Sequence, residues 1–347
     1  MGLLTYSGIT AKVRAMESRL LTEEQFQEMA ALEDVRSAAD YLKQQPAYET
    51  IFSGLDDTRL HRGYIEQLLA WSEYRDFTKL YRFSNVSQRK FLDLYFMHYE
   101  ITIIKSVLRN VMGGKTHSID LSGFQQFFDR HSSVDLVKLA QAESLEELIG
   151  RLEGSSYYKP VTSYQEEKAQ TLFDYEFRLD LFYFQTMWKT KDKILTKKEQ
   201  KVIGQCFGSR LDLLNIQWIY RSIKYYMLPA AKIYALLIPV KYKLKTEQIR
   251  HMAEAPTLDE FFVALKNTYY GKLPQVDWSE PPEVEALSHQ ILNRIYCGTG
   301  RRHPYTMAVL DSYLYAKELE QRKIIATIEG IRYGLGASEI IAMAKKQ

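Results

Sequence analysis

The chain has 347 residues, with 46 Lys plus Arg against 43 Asp plus Glu and a formal charge of +3. That balance excludes a polyanion-wrapping tail and gives no electrostatic reason to expect nucleic acid as a partner. With 46% hydrophobic and 26% charged residues it has the composition of a folded protein, long enough for two or three modules. The 25 Tyr and 16 Phe against only 9 Pro and 17 Gly favour long, packed helices. Cys206 and Cys297 are too few for a disulfide scaffold or a Cys-based zinc site and fit a reducing compartment.

The opening residues show no basic region followed by an apolar core, and Tyr6 stands where a myristoylation signal needs Ser or Thr. A first short-helix segment runs from Met29 through Asp34, Val35, Ala38 and Leu42 to Tyr48. The next chemical feature, Asp56-Asp57, has the look of a magnesium-binding aspartate pair, but Leu60 stands where the third carboxylate belongs. With Ser53, Gly54 and Thr58 around it, the pair is expected to cap a helix start. His98 lies among Tyr95, Phe96, Met97 and Tyr99 in a predicted long helix, which makes it a packing residue rather than a base. That helix carries Glu100 to Arg109 and ends near Gly113-Gly114-Lys115.

From Leu139 to Ile149, continuing to Leu152 and Tyr157-Tyr158, the chain repeats the pattern of Met252 to Phe262, continuing to Leu265 and Tyr269-Tyr270. Ser144 with Glu147, and Thr257 with Glu260, have capping-box spacing. Between these copies, Phe173, Phe177, Leu181, Phe184 and Trp188 recur at the spacing of one helix face, with Tyr175, Phe182 and Tyr183 off it. This predicts a helix covered on more than one side. Asp212 to Arg221 repeats the acidic-to-basic motif of Glu100 to Arg109, and Glu320 to Glu329 gives a third copy in which Glu329 replaces the arginine and Lys323 replaces Asn215.

Met227 to Val240 is the most apolar stretch, but Pro229, Lys232 and Pro239 interrupt it and it is too short to span a bilayer. Gly298 to His303 is expected to form a basic loop between helices. Neither it nor Gly334-Leu-Gly336 matches a phosphate-binding fingerprint, and the seven histidines form no HxxxH or HExxH pair. No catalytic, cofactor-binding or metal-binding set emerges.

The landmarks Val35, Leu145 and Leu258, and separately Glu100, Asp212 and Glu320, recur about 110 residues apart and keep their order. Two independent landmarks with one period predict an all-α chain of three similar helical modules, near 1–114, 115–228 and 229–347, each with short capped helices followed by two long ones. The acidic residues are expected to act structurally, capping or salt-bridging a neighbouring helix, with Arg109, Arg221 or another cation as partner. A recognition role toward a basic partner is the alternative.

These motifs, with Tyr6 and the segment Ala11 to Thr22 at the start and Ile324 to Gly334 at the end, resemble the C subunits of the A/V-type (vacuolar-type) ATPases, the family that includes the eukaryotic V-type ATPase d subunit. The resemblance covers essentially the whole chain. It implies three helical-bundle modules in a pseudo-threefold, funnel-shaped arrangement, with no catalysis and no cofactor. It further implies a central-stalk rotor component on the cytoplasmic side of the membrane, linking a shaft of D and F subunits to the proteolipid rotor ring and transmitting torque for ion transport. Two other readings fit the residues alone: a helical-repeat protein-binding adaptor unrelated to a rotor, and an all-α enzyme with a metal or diphosphate cleft.

Overall fold

The computed structural model describes residues 2–55, 60–114, 121, 124–163, 171–273 and 276–346. Asp56, Asp57, Thr58 and Lys115 lie outside them. The described residues form helices and no strands. In chain order these are α1 (Gly2–Glu17), α2 (Glu23–Ala30), α3 (Val35–Lys43), α4 (Glu49–Phe52), α5 (Arg62–Phe83), α6 (Val86–Met112), α7 (Gln125–His131), α8 (Leu136–Leu139) and α9 (Leu145–Arg151). They continue as α10 (Tyr158–Thr162), α11 (Leu172–Ile194), α12 (Lys197–Lys224), α13 (Ala230–Ala235), α14 (Thr246–Ala253), α15 (Leu258–Lys266), α16 (Val284–Arg302), α17 (Ala308–Arg332) and α18 (Ala337–Lys345). A run of short helices followed by two long ones therefore occurs three times, in the order the sequence motifs predict.

Local chemistry sets the helix starts. Asp34, Ser144 and Thr257 cap α3, α9 and α15, each side chain accepting the N–H of the residue three positions on. The reciprocal half of the expected box at Ser144 is diverted: the Glu147 carboxylate takes the Glu143 N–H and pairs with Arg151. Complete boxes form instead at Thr22/Gln25, Asn85/Gln88 and Thr171/Asp174, heading α2, α6 and α11.

The chain divides into two compact units, Asn85–Thr196 and Met1–Ser84 with Lys197–Gln347. In the first, α6 and α11 run antiparallel, with Lys105 on Asp180 at 2.8 Å and Arg109 on Glu176 at 2.6 Å. The buried face of α11 is Tyr175, Leu179, Tyr183 and Met187, at i, i+4 spacing. This corrects the predicted face: Phe173 is 43% exposed, and Phe177, Leu181, Phe184 and Trp188 are only partly buried. Both stripes are apolar, so periodicity alone does not rank them; the tyrosines carry the buried one. His98 sits among the rings of Tyr95, Tyr99 and Tyr183, as a packing residue does.

The described residues of the second unit include two apolar clusters that bear on the landmarks. One gathers Ile216, Ile219, Met252, Phe261, Tyr270 and Ile291 from α12, α14 to α16 and the turn after α15. The other joins Met29, Leu42, Phe52 and Leu68 of the first helices to Ile324 and Ile328 of α17 and Ile340 of α18. Gly298 to Arg302 is the end of α16, not a loop. Gly300 stands there because a Cβ would meet Ser312 Oγ of α17 at 2.5 Å, so the two helices touch backbone to side chain.

Within this unit Asp311 of α17 is buried beside Cys206 and Arg210 of α12. Burial pushes its carboxyl up to about 7, while Arg210 and the Cys206 thiol act in the opposite sense. Because the folded chain holds this proton more tightly than the unfolded one, whose carboxyl titrates near about 4, stability falls as pH rises between the two values. Asp311→Asn is expected to remove a slope of up to about 1.4 kcal/mol per pH unit in that window. Denaturant melts of both proteins from pH 4 to 8 check it; parallel curves refute it.

Candidate functional site

The three acidic landmarks stand at the middle of α6, α12 and α17, and all are buried. A carboxylate withdrawn from water must recover its hydrogen bonds inside the protein. In each case a tyrosine hydroxyl supplies one. Glu100 accepts from Tyr157 through Oε2 and from Ser132 Oγ through Oε1, both at 2.5 Å. Asp212, 0% exposed, accepts from the Tyr270 hydroxyl at 2.8 Å and from the backbone N–H groups of Tyr242, Lys243 and Leu244 at 3.1, 2.6 and 3.0 Å. Glu320 accepts from the Tyr48 hydroxyl at 2.6 Å, from Leu21 N–H at 2.7 Å and from Lys317 Nζ at 2.8 Å.

The chemistry around each carboxylate differs. Asp212 is short and reaches a turn whose three N–H groups converge on it, a nest for an anion. Glu100 has only two hydroxyls, and burial raises its carboxyl, with Ser132 and Tyr157 pulling back. Glu320 has a cation: Lys317, 1% exposed, also donates to the Tyr48 hydroxyl at 2.9 Å and lies 4.2 Å from the centre of its ring. All three phenols are held above their ordinary range, by burial first and then by the neighbouring carboxylate.

Of the cations the sequence offered as partners, Arg109 and Arg221 pair instead with Glu176 on α11 and Glu285 on α16, at 2.6 and 2.9 Å, and the cation on Glu320 is Lys317. Nine residues is two and a half helical turns, which puts the arginine on a different face from the carboxylate. In the third copy the sign is reversed: Glu329 faces Arg62 of α5 at 3.8 Å. The tyrosines were visible as the ends of the short-helix repeats; their coupling to the acidic motifs was not, because the two landmarks lie far apart in sequence. Among the described residues no group of His, Cys, Asp and Glu is placed to hold a metal ion. No described helix is long and apolar enough to cross a membrane.

Residues 9–343 match the ATP synthase (C/AC39) subunit family. The chain belongs to that family. It is 25% identical to the C subunit of the A-type ATP synthase of Thermococcus kodakarensis over 95% of this chain and 87% of the relative. It is also 25% identical to the protein of that name from Pyrococcus abyssi, over 97% and 90%, and 22% identical to that from Archaeoglobus fulgidus, over 96% and 94%. Membership makes this chain a structural, non-catalytic component of a membrane ATP synthase complex, so its partners are other subunits of such a complex.

The buried carboxylates of this ATP synthase component set a specific expectation. Tyr157→Phe leaves Glu100 with Ser132 alone, which costs on the order of 1–3 kcal/mol. Glu100 already binds its proton more tightly folded than unfolded, so its contribution is greatest below about pH 4 and declines as pH rises through its raised folded value. Losing the phenol raises that value further, so the deficit of the variant should be larger at pH 8 than at pH 5. Chemical denaturation at both pH values decides; a deficit independent of pH would mean the hydroxyl does not serve the charged form.

Proposed function

We propose that the chain is a central-stalk rotor component, a socket that receives a shaft of D and F subunits and rests on the proteolipid rotor ring at the cytoplasmic face of the membrane. Whole-length membership of the family, over residues 9–343, carries this reading. A coupling part has to transmit torque without deforming, and it needs two binding surfaces rather than a reaction centre. Three long helices pinned at mid-length by buried, hydrogen-bonded carboxylates fit that demand, since a fully satisfied buried polar contact specifies one packing arrangement. The sequence period of three modules, 1–114, 115–228 and 229–347, fits a pseudo-threefold socket around a shaft, with Glu100, Asp212 and Glu320 in equivalent places.

The test is ion transport by complexes reconstituted with and without this protein. Without it, ATP hydrolysis by the soluble head should persist while hydrolysis-driven transport is abolished, because torque has no path to the ring. Transport that stays coupled in its absence would overturn the assignment. Exposed ion pairs at the shaft contact should weaken as salt is raised, and packed apolar contacts less so.

A further inference from the structure

Each long helix that carries a buried carboxylate is ended by a residue in the left-handed region. After α6 this is Gly114, at φ 62°, and after α17 it is Gly334, at φ 67°. After α12 it is Met227, at φ 46°, the one non-glycine residue with positive φ among those described. Glycine adopts this conformation freely, whereas a side chain with a Cβ does so at a cost. Met227 is 85% exposed, so side-chain packing within the chain does little to offset that cost. The chain therefore keeps an exposed apolar side chain at a backbone position that glycine fills in the other two copies.

The surroundings identify the chemistry. Tyr225 and Tyr226 precede Met227 and are 59% and 65% exposed. Lys224 places its ammonium 5.0 and 5.1 Å from the ring centres of Tyr220 and Tyr225, and Lys232 is exposed on α13. From Leu213 to Thr246 the sequence contains no Asp or Glu at all. Three carboxylates that reach this segment, Asp212 on the N–H groups of Tyr242 to Leu244, Glu285 on Arg221 and Glu254 on the Tyr234 hydroxyl, are engaged there rather than on Lys224 or Lys232.

We propose that the Tyr225-Tyr226-Met227 turn is an interfacial anchor for an anionic lipid surface. The phenols would sit at headgroup depth, the thioether chain below them, and the Lys224 and Lys232 ammoniums on lipid phosphates. A single protruding turn is too small for a stable protein interface, which takes roughly 800 Å² from each partner. It is the right size for shallow insertion beside cations. The inference rests on the reading of the chain as a peripheral part of a membrane rotor, and it adds a direct lipid contact to it.

The test is flotation of the full chain with vesicles of phosphatidylcholine containing about 30% phosphatidylglycerol, against pure phosphatidylcholine. Binding to the anionic vesicles and its release in high salt are expected. Met227→Gly should lower vesicle binding roughly fivefold or more while its melting temperature stays the same or rises, which separates loss of the anchor from loss of the fold. Tyr225→Ser/Tyr226→Ser and Lys224→Glu should lower binding by a similar factor. Absence of anionic-vesicle binding by the unaltered protein, or binding undiminished in all three variants, overturns the proposal. Variants that lose ring assembly when the unaltered protein binds no vesicles would reassign the turn to a protein contact. Uncoupled transport is read in a separate assay, so failure of the rotor reading and failure of the lipid anchor are distinguishable.

Discussion

A carboxylate buried on a long helix is costly, and the structure is organised around meeting that cost three times. Taking the ion out of water disfavours it by several kcal/mol, so the surrounding groups have to converge on it with donors. In each copy a tyrosine hydroxyl does part of this, from Tyr157, Tyr270 or Tyr48. Each of these tyrosines sits in the run of short helices, so the contact fixes where the short helices lie along the long one. The remaining donors are improvised: a serine hydroxyl for Glu100, a backbone nest for Asp212, a lysine and one amide for Glu320. The donors beside the tyrosine differ in kind and in number, two in all on Glu100, four on Asp212 and three on Glu320, so only the tyrosine contact is common to the three copies.

The sequence carried the order of short and long helices and the period, because capping residues and apolar spacing are local signals. It also carried the identity of the buried acids, through their recurrence. A period has a length but no phase, however. The motif spacing groups α5 with α6 and α11 with α12, whereas α6 packs along α11 and α12 along α16, each long helix lying against one that follows it after the short run. What sequence could not rank were faces and partners of similar chemistry. The tyrosine stripe of α11 is buried ahead of its phenylalanine stripe, and Arg109 takes Glu176 rather than Glu100. The glycines of the basic segment from Gly298 suggest a loop, although Gly300 is there to let α17 approach. Each of these depends on a neighbour supplied by distant sequence.

The third copy differs in kind. Its long helix α17 is near the end of the chain, while its tyrosine, Tyr48, and the amide of Leu21 come from the beginning. No short connection holds these pieces together, so the contact has to form across nearly the whole length of the chain, at the loop-closure cost of joining distant segments. Gln321 on the same helix adds a bond to the Leu69 carbonyl at 2.7 Å, and Tyr313 donates to Asp76 at 2.6 Å. These bonds add to the Glu320 contact in joining segments that chain connectivity leaves far apart.

The outer ion pairs show why the buried contact has to carry that closure. Arg109 and Arg221 lie in the last turns of α6 and α12, where a cation is favoured by the helix dipole, and Glu285 lies in the first turn of α16, where an anion is. Exchanging the signs leaves the mutual attraction of a pair unchanged but turns both members against their own helix. That is the situation of Glu329 in the last turn of α17 and Arg62 at the first position of α5. Arg62 also gives its Nε to Glu66 at 2.7 Å, and Glu329 has Arg332 at 3.3 Å, so each has a local alternative. Their mutual contact is correspondingly long, 3.8 Å against 2.6 and 2.9 Å in the other copies. An exposed pair of this kind contributes at most about 1 kcal/mol even with good geometry. The N-terminal helices are therefore held to α17 by its interior, where Lys317 supplies Glu320 with a cation that neither Glu100 nor Asp212 receives.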